Sequence, residues 1–171
     1  MDDFFVGFAI LEEAFTGTLV TKNTSGVPTD ADSFPTCRIY GADGVVHDVT
    51  ASYRDSGSIT GATNASPIVV TSAAHDLTVG TVVVISGVLG NTAANGTFVI
   101  SAVTTNTFTL TGSTGNGAYT SGGSWHVKGL YKYAIEATSA NGFASGETYF
   151  ALFSYAISAS QQGVIHSFSV D

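Results

Sequence analysis

Four histidines, one cysteine and thirteen acidic side chains are the groups in this 171-residue chain with the chemistry to bind a metal or move a proton. His75-Asp76 and His126 come nearest to a ligand set. A bound zinc needs three or four converging donors, and nothing near His75-Asp76 supplies a third and fourth, so the pair reads as a surface turn. His47 and Asp48 are neighbours in an alternating stretch, where successive side chains point to opposite faces of a strand, which excludes a shared proton. His166 runs in step with Phe168 and reads as a core or edge histidine. The lone Cys37 excludes an internal disulfide and has no activating motif beside it, so it reads as a small buried hydrophobe.

The carboxylates pair as Asp2-Asp3, Glu12-Glu13 and Asp30/Asp32. Acid–base catalysis needs two carboxyls held across a cleft in different environments. These are sequence neighbours at turns and near the start of the chain, where solvation and capping account for them. Asp30-Ala31-Asp32 lacks the glycine and distal glutamate of a calcium loop. Gly112–Gly123 (GSTGNGAYTSGG) lacks the Gly-Lys-Ser/Thr ending and the strand-to-helix context of a phosphate loop. Tyr119, Trp125, Tyr131 and Tyr133 would serve a sugar-binding surface if their rings were exposed, and core anchoring explains them equally well. The sequence therefore assigns no catalytic, cofactor-binding or metal-ligating residue, and an enzyme is the least favoured class.

Composition narrows the partners. The formal net charge is −8 and only 11% of residues are charged. Phosphate recognition needs a basic patch, and the five Lys and Arg are scattered, so nucleic acid is disfavoured. No apolar run is long enough for a membrane-spanning helix. Phe4–Leu11 is apolar but short, follows two acids and lacks a basic leader, so it reads as a strand and not as a signal peptide. The expected setting is the cytoplasm of the producing cell, with later release by assembly or lysis.

The elements that would position these residues are strands. Short β-branched or aromatic runs are separated by Gly, Asn, Asp and Pro signals, and no convincing 3.6-residue period appears. The flanks supply Phe4–Ile10, Ala14–Thr21, Thr36–Tyr40 and Val45–Ala51, then Leu130–Ala137, Thr148–Tyr155 and Val164–Val170. Ala42-Asp43-Gly44 marks a hairpin, and Tyr53–Ile59 and Ala156–Gln162 read as polar connections. The middle supplies Ile68–Thr71, Thr81–Ser86, Thr97–Val103 and Thr107–Thr111, with Trp125 starting the return. Between Asp55 and Lys128 the only charged side chain is Asp76. So sharp a change of composition predicts one domain inserted into another. The expected architecture is all-β: a seven-stranded Ig-like β-sandwich from 1–62 plus 127–171, interrupted at 63–126 by a small β-barrel.

The middle stretch carries a resemblance. His75-Asp76-Leu77 with Val79-Gly80, Ile85-Ser86-Gly87, Gly90-Asn91-Thr92-Ala93-Ala94-Asn95-Gly96-Thr97, Thr107-Phe108-Thr109-Leu110 and Gly115-Asn116-Gly117-Ala118-Tyr119 resemble the FCCH-like β-barrel module. That module is named after a subdomain of the ubiquitin-activating enzyme, and similar modules occur inserted in bacteriophage and prophage virion proteins. The resemblance covers about sixty residues and implies no ubiquitin chemistry. The C-terminal flank, through Tyr131/Tyr133, Gly142-Phe143, Gly146, Tyr149 and Phe168-Ser169-Val170, resembles the last strands of small β-sandwich proteins encoded among phage structural genes.

These resemblances imply a non-enzymatic virion component of a tailed phage, foremost a head decoration or cement protein. The major capsid protein is the implied partner, bound by many copies or a homo-oligomer without nucleic acid, membrane or cofactor. The sandwich would dock on the shell through Phe4–Ile10 and Val164–Val170 by edge pairing, and the barrel would project from it. A tail, neck or adaptor component, or a glycan-binding module for host attachment, is the alternative.

Overall fold

The computed structural model describes residues 4–9 and 11–171, with 4–9, 45 and 46 described by backbone alone. Asp2, Asp3 and Ile10 lie outside the described residues. In chain order the strands are β1 (Phe4–Ala9), β2 (Glu13–Val20), β3 (Thr36–Gly41), β4 (Gly44–Thr50), β5 (Ser52–Tyr53), β6 (Ser56–Ser58), β7 (Gly61–Ala62), β8 (Val69–Thr71), β9 (Val82–Ser86), β10 (Gly96–Val103), β11 (Thr107–Leu110), β12 (Ser124–Val127), β13 (Leu130–Ala137), β14 (Thr148–Ile157) and β15 (Ser160–Val170). The described helical segments are two 3-10 turns at Thr92–Ala94 and Ser139–Asn141. The chain folds as two compact units: the residues up to Ser52 with Gly129–Asp171, and Tyr53–Lys128.

The first unit is a β-sandwich. One sheet has the order β1-β15-β14-β3-β4, the other β2-β13-β5. β1 runs parallel to β15, whereas β15–β14, β14–β3, β3–β4 and β2–β13 are antiparallel. Alternation drives the packing: Tyr131, Tyr133, Ile135 and Ala137 of β13 are buried, as are Tyr149, Ala151, Phe153, Tyr155 and Ile157 of β14. Rings meet between the sheets, with Tyr133 and Phe153 centroids 4.5 Å apart and Phe15 and Phe168 4.8 Å apart. Gly17 faces Tyr133 across the β2–β13 pair. A β-carbon there would fall 2.1 Å from the phenol ring, so the core seats this ring only over glycine.

Two sequence readings of this unit change. Eight strands form where about seven are expected, because Ser52–Tyr53 makes a short β5. Ala156–Gln162 is not a polar connection: β14 runs to Ile157, β15 starts at Ser160, and only Ser158 and Ala159 turn. Both have positive φ, 51° and 62°. Such a turn ordinarily calls for Gly or Asn. Here the Asp32 carboxylate accepts hydrogen bonds from both turn amides, Ser158 N at 3.0 Å and Ala159 N at 2.8 Å.

The second unit is one curled sheet of order β6-β12-β9-β10-β11-β8-β7. Its two outermost strands are consecutive in the chain. Between them, Ile59 N donates to Gly123 O and Thr60 N to Thr71 O, both at 2.9 Å. One short segment therefore bonds to both edges of the sheet and closes it into a barrel, which removes the exposed edges. Ile68, Val70, Val83, Ile85, Ile100, Phe108, Leu110 and Trp125 fill the interior. The inserted unit begins at Tyr53, not at residue 63, because β6 and β7 belong to the barrel closure. Entry and exit lie side by side: Ser56 pairs with His126, and Val127 N donates to Asp55 O at 2.9 Å. Adjacent ends are the condition for inserting a domain into a loop.

Candidate functional site

The residues with chemical capacity are held in the cores or in turns. His75 is buried, its Nε2 is 3.0 Å from Thr107 O, and its Nδ1 accepts from Leu77 N at 3.0 Å. Both ring nitrogens are occupied by backbone, with the edge of the ring against Phe108 and Trp125. The surface-turn reading of His75 is thus corrected: the loop turns at the surface but the imidazole turns inward, because two backbone groups need it. His126 stacks on Tyr53, with centroids 3.6 Å apart and planes 11° apart. Among the described residues no three His, Cys, Asp or Glu side chains converge as a metal set.

In the sandwich, His47 lies against Phe143 while Asp48 pairs with Arg38 on the other face of β4. His166 Nδ1 is 3.2 Å from Tyr133 Oη, and burial lowers its pKa below the usual histidine value. Burial, with a smaller contribution from the Asp48 charge, pushes the Cys37 thiol up to about 12, opposite to what a nucleophile needs. Burial also raises Tyr133 to about 12, with Cys37 adding to it.

Of the paired carboxylates, Glu12, Asp30 and Asp32 accept from backbone amides. Asp32 holds the Ser158-Ala159 turn, and Asp30 Oδ1 accepts from Gly129 N at 2.6 Å. Glu12 accepts from the amide of Ser139 at 2.8 Å and from its hydroxyl. Those bonds, the hydroxyl's first, hold the Glu12 carboxyl below its ordinary value.

The four aromatics considered for sugar stacking have other partners. Trp125, Tyr131 and Tyr133 are buried, and Trp125 Nε1 donates to Ser72 Oγ at 2.8 Å. Tyr119 is half-buried and its hydroxyl bonds Ile59 O and Gly122 O. The three buried rings present no face of the kind a sugar stacks on, and Tyr119 is tethered by its hydroxyl.

The motif residues of the middle stretch form a latch between two barrel loops. Asn91, fully buried, donates from Nδ2 to Thr63 O at 2.8 Å and accepts from Asn116 N at 3.1 Å. Asn116 Oδ1 accepts from Ala93 N at 3.0 Å, and Asn95 bridges both backbone groups of Val88 at 2.9 Å. Gly90 and Gly117 let the loop backbones meet; a β-carbon on Gly90 would lie 2.0 Å from Ala118 O. The spacing that reads as a motif is the spacing of these bonds.

Both units carry depressions open to solvent among the described residues. One of about 600 Å³ lies on the barrel over Arg54, Asp55, Ser72, Asp76 and Trp125. One of about 460 Å³ lies on the sandwich over Thr36, Arg38, Tyr40, Asp48 and Leu152, and one of about 300 Å³ beside Gly44 and Glu147. The sandwich also carries a feature the sequence reading passed over. Phe150 and Ile165 are 47% and 42% exposed on the outward face of the five-stranded sheet. Thr148–Ile157 (TYFALFSYAI) announces it, because Phe150, Leu152 and Ala156 make the outward positions apolar as well as the inward ones.

The edges answer the docking expectation in part. β1 is the edge of the five-stranded sheet. Val164–Val170 is not a free edge, since His166–Val170 lie between β14 and β1. No family model matches the chain, and no curated protein matches it.

Proposed function

We propose that this chain is a non-enzymatic structural component of a tailed-phage virion, foremost a head decoration protein bound to the capsid shell in many copies. We read the sandwich as Ig-like: its first strand runs parallel to its last on the edge of one sheet, and the remaining described neighbours are antiparallel hairpin or crossover partners. The observation that carries the reading is the division of labour among side chains. His75, Cys37, Trp125, Tyr131 and Tyr133 serve the interior and Glu12, Asp30 and Asp32 hold backbone amides, while the surface offers sheet faces, the β1 edge and few charges. A surface of that kind suits repeated contacts in a lattice, where modest single contacts add through multivalency. The resemblance of the barrel to virion-borne FCCH-like modules supports the same reading.

β1, an edge among the described strands, is the docking edge in this proposal, adding to a strand of the shell. Co-sedimentation with expanded, undecorated heads tests it. Saturable pelleting at a copy number commensurate with the shell lattice is the expected result. A failure to pellet, together with an oligomer matching tail or neck symmetry, would move the protein to the tail machinery.

A further inference from the structure

We propose that the outward face of the five-stranded sheet is a contact surface for a second copy of this chain. Pairing across the sheet places Ile165, Leu152, Arg38 and Asp48 in one row over β15, β14, β3 and β4. Phe150 and Tyr40 are direct partners in the next row. Four apolar side chains therefore adjoin, two of them nearly half exposed. The outward face of the other sheet is more polar, with exposed Thr16, Thr18, Lys132 and Glu136 beside Ala134 and one large apolar side chain, Val20. The adjoining apolar group therefore distinguishes the five-stranded face, where exposed Thr36, Thr50, Thr148 and Ser154 surround it.

Shape and charge both select a second copy. Phe150 and Ile165 stand exposed beside a depression of about 460 Å³ lined by Arg38, Tyr40 and Asp48 of β3 and β4 and by Leu152 and Ser154 of β14. A two-fold contact matches residue i with j and j with i, so the exposed side chains of one copy can meet the hollow of the other. Two copies of a chain of net charge −8 repel. Among the described strands this face carries one cation and one anion, Arg38 Nε and Asp48 Oδ1 3.1 Å apart and exposed. It brings no net charge to the contact, and Arg38 of one copy can exchange onto Asp48 of the other.

The inference stands apart from the virion reading, and its test needs no other component. Sedimentation velocity of the whole chain from about 10 µM to about 1 mM should show the mean coefficient rising from monomer toward dimer, with a dissociation constant on the order of 100 µM for so small a patch. Phe150→Thr, and separately Ile165→Thr, should weaken association by roughly tenfold each, with near-ultraviolet circular dichroism unchanged because both side chains are exposed. Arg38→Glu should weaken it, and Arg38→Glu with Asp48→Arg should restore it. A chain that stays monomeric at the highest concentration overturns the proposal. So does undiminished dimerisation of both folded threonine variants, which would put the contact elsewhere.

Discussion

The inserted barrel carries four charged side chains, Arg54, Asp55, Asp76 and Lys128, and the sandwich carries the rest. Both units must satisfy the backbone of their irregular segments. The barrel does it with amides and hydroxyls, through Asn91, Asn95, Asn106, Asn116 and Ser113. The sandwich uses such groups too, Asn23 and Thr138 among them, and adds the carboxylates of Glu12, Asp30 and Asp32. Each core also seats a large aromatic over a glycine: Tyr133 over Gly17 in the sandwich, Trp125 over Gly57 in the barrel. One sandwich latch is tuned by its bonds: Ser139 holds the Glu12 carboxyl below its ordinary value, so that latch weakens in acid. Nature has also placed one reporter in each unit, the single Trp125 in the barrel and the single, buried Cys37 in the sandwich.

The strongest way to separate the two units is to open one core. Phe108 is fully buried in the barrel, and Phe108→Ala should cost about 3–5 kcal/mol. The transition seen by Trp125 fluorescence should fall to lower denaturant while Cys37 stays protected from thiol reagents. Exposure of Cys37 in step with Trp125 would mean the units share one cooperative transition. Gly17→Ala attacks the other core, where the added carbon meets Tyr133. About 1–3 kcal/mol is expected from overpacking, read from Cys37 exposure, and the cost should shrink in a Tyr133→Leu background.

The latch itself is tested by Asn91→Ala, which strands Thr63 O and Asn116 N. About 1–3 kcal/mol should be lost from the barrel alone. The pH comparison is expected to have the smallest effect and needs its sign. His166 has a lowered folded pKa, so below the ordinary 6.5 the unfolded chain takes up a proton that the folded chain declines, and stability falls with pH. Glu12, also lowered, stabilises above its ordinary 4.5 and loses that contribution as pH falls through its folded value. Both losses belong to the sandwich. Denaturation followed with a dipyridyl disulfide, which reacts with thiols in acid, should show Cys37 exposed at lower denaturant on each step down, and His166→Gln should remove the upper one.

Much of this was legible in the sequence. Period-two burial in Leu130–Ala137 and Thr148–Ile157, the Ala42-Asp43 hairpin and the low-charge middle stretch follow from local pattern. What was not legible depends on partners far along the chain. Ser56-Gly57-Ser58 shows no apolar alternation and becomes a strand only because Trp125 and its neighbours pair with it. The Ser158-Ala159 turn contains no Gly or Asn at its positive-φ positions, since its carboxylate comes from Asp32. Asn91 in a Gly-Asn-Thr run reads as a surface loop, and only the approach of Asn116 makes its burial satisfiable. His75 is hidden for the same reason: Thr107 O is set by β11, not by the neighbours of the histidine.

The proposed function has the sandwich, not the barrel, attach this protein to a phage shell. The most direct test compares pelleting with undecorated heads for the whole chain and for a chain in which Tyr53–Lys128 is replaced by a short linker, with Cys37 protection confirming that the sandwich is folded. Saturation of both at the same lattice-commensurate copy number is the predicted result. Heads that retain neither chain would contradict the account, and heads that retain only the barrel-bearing chain would reverse the roles of the two units.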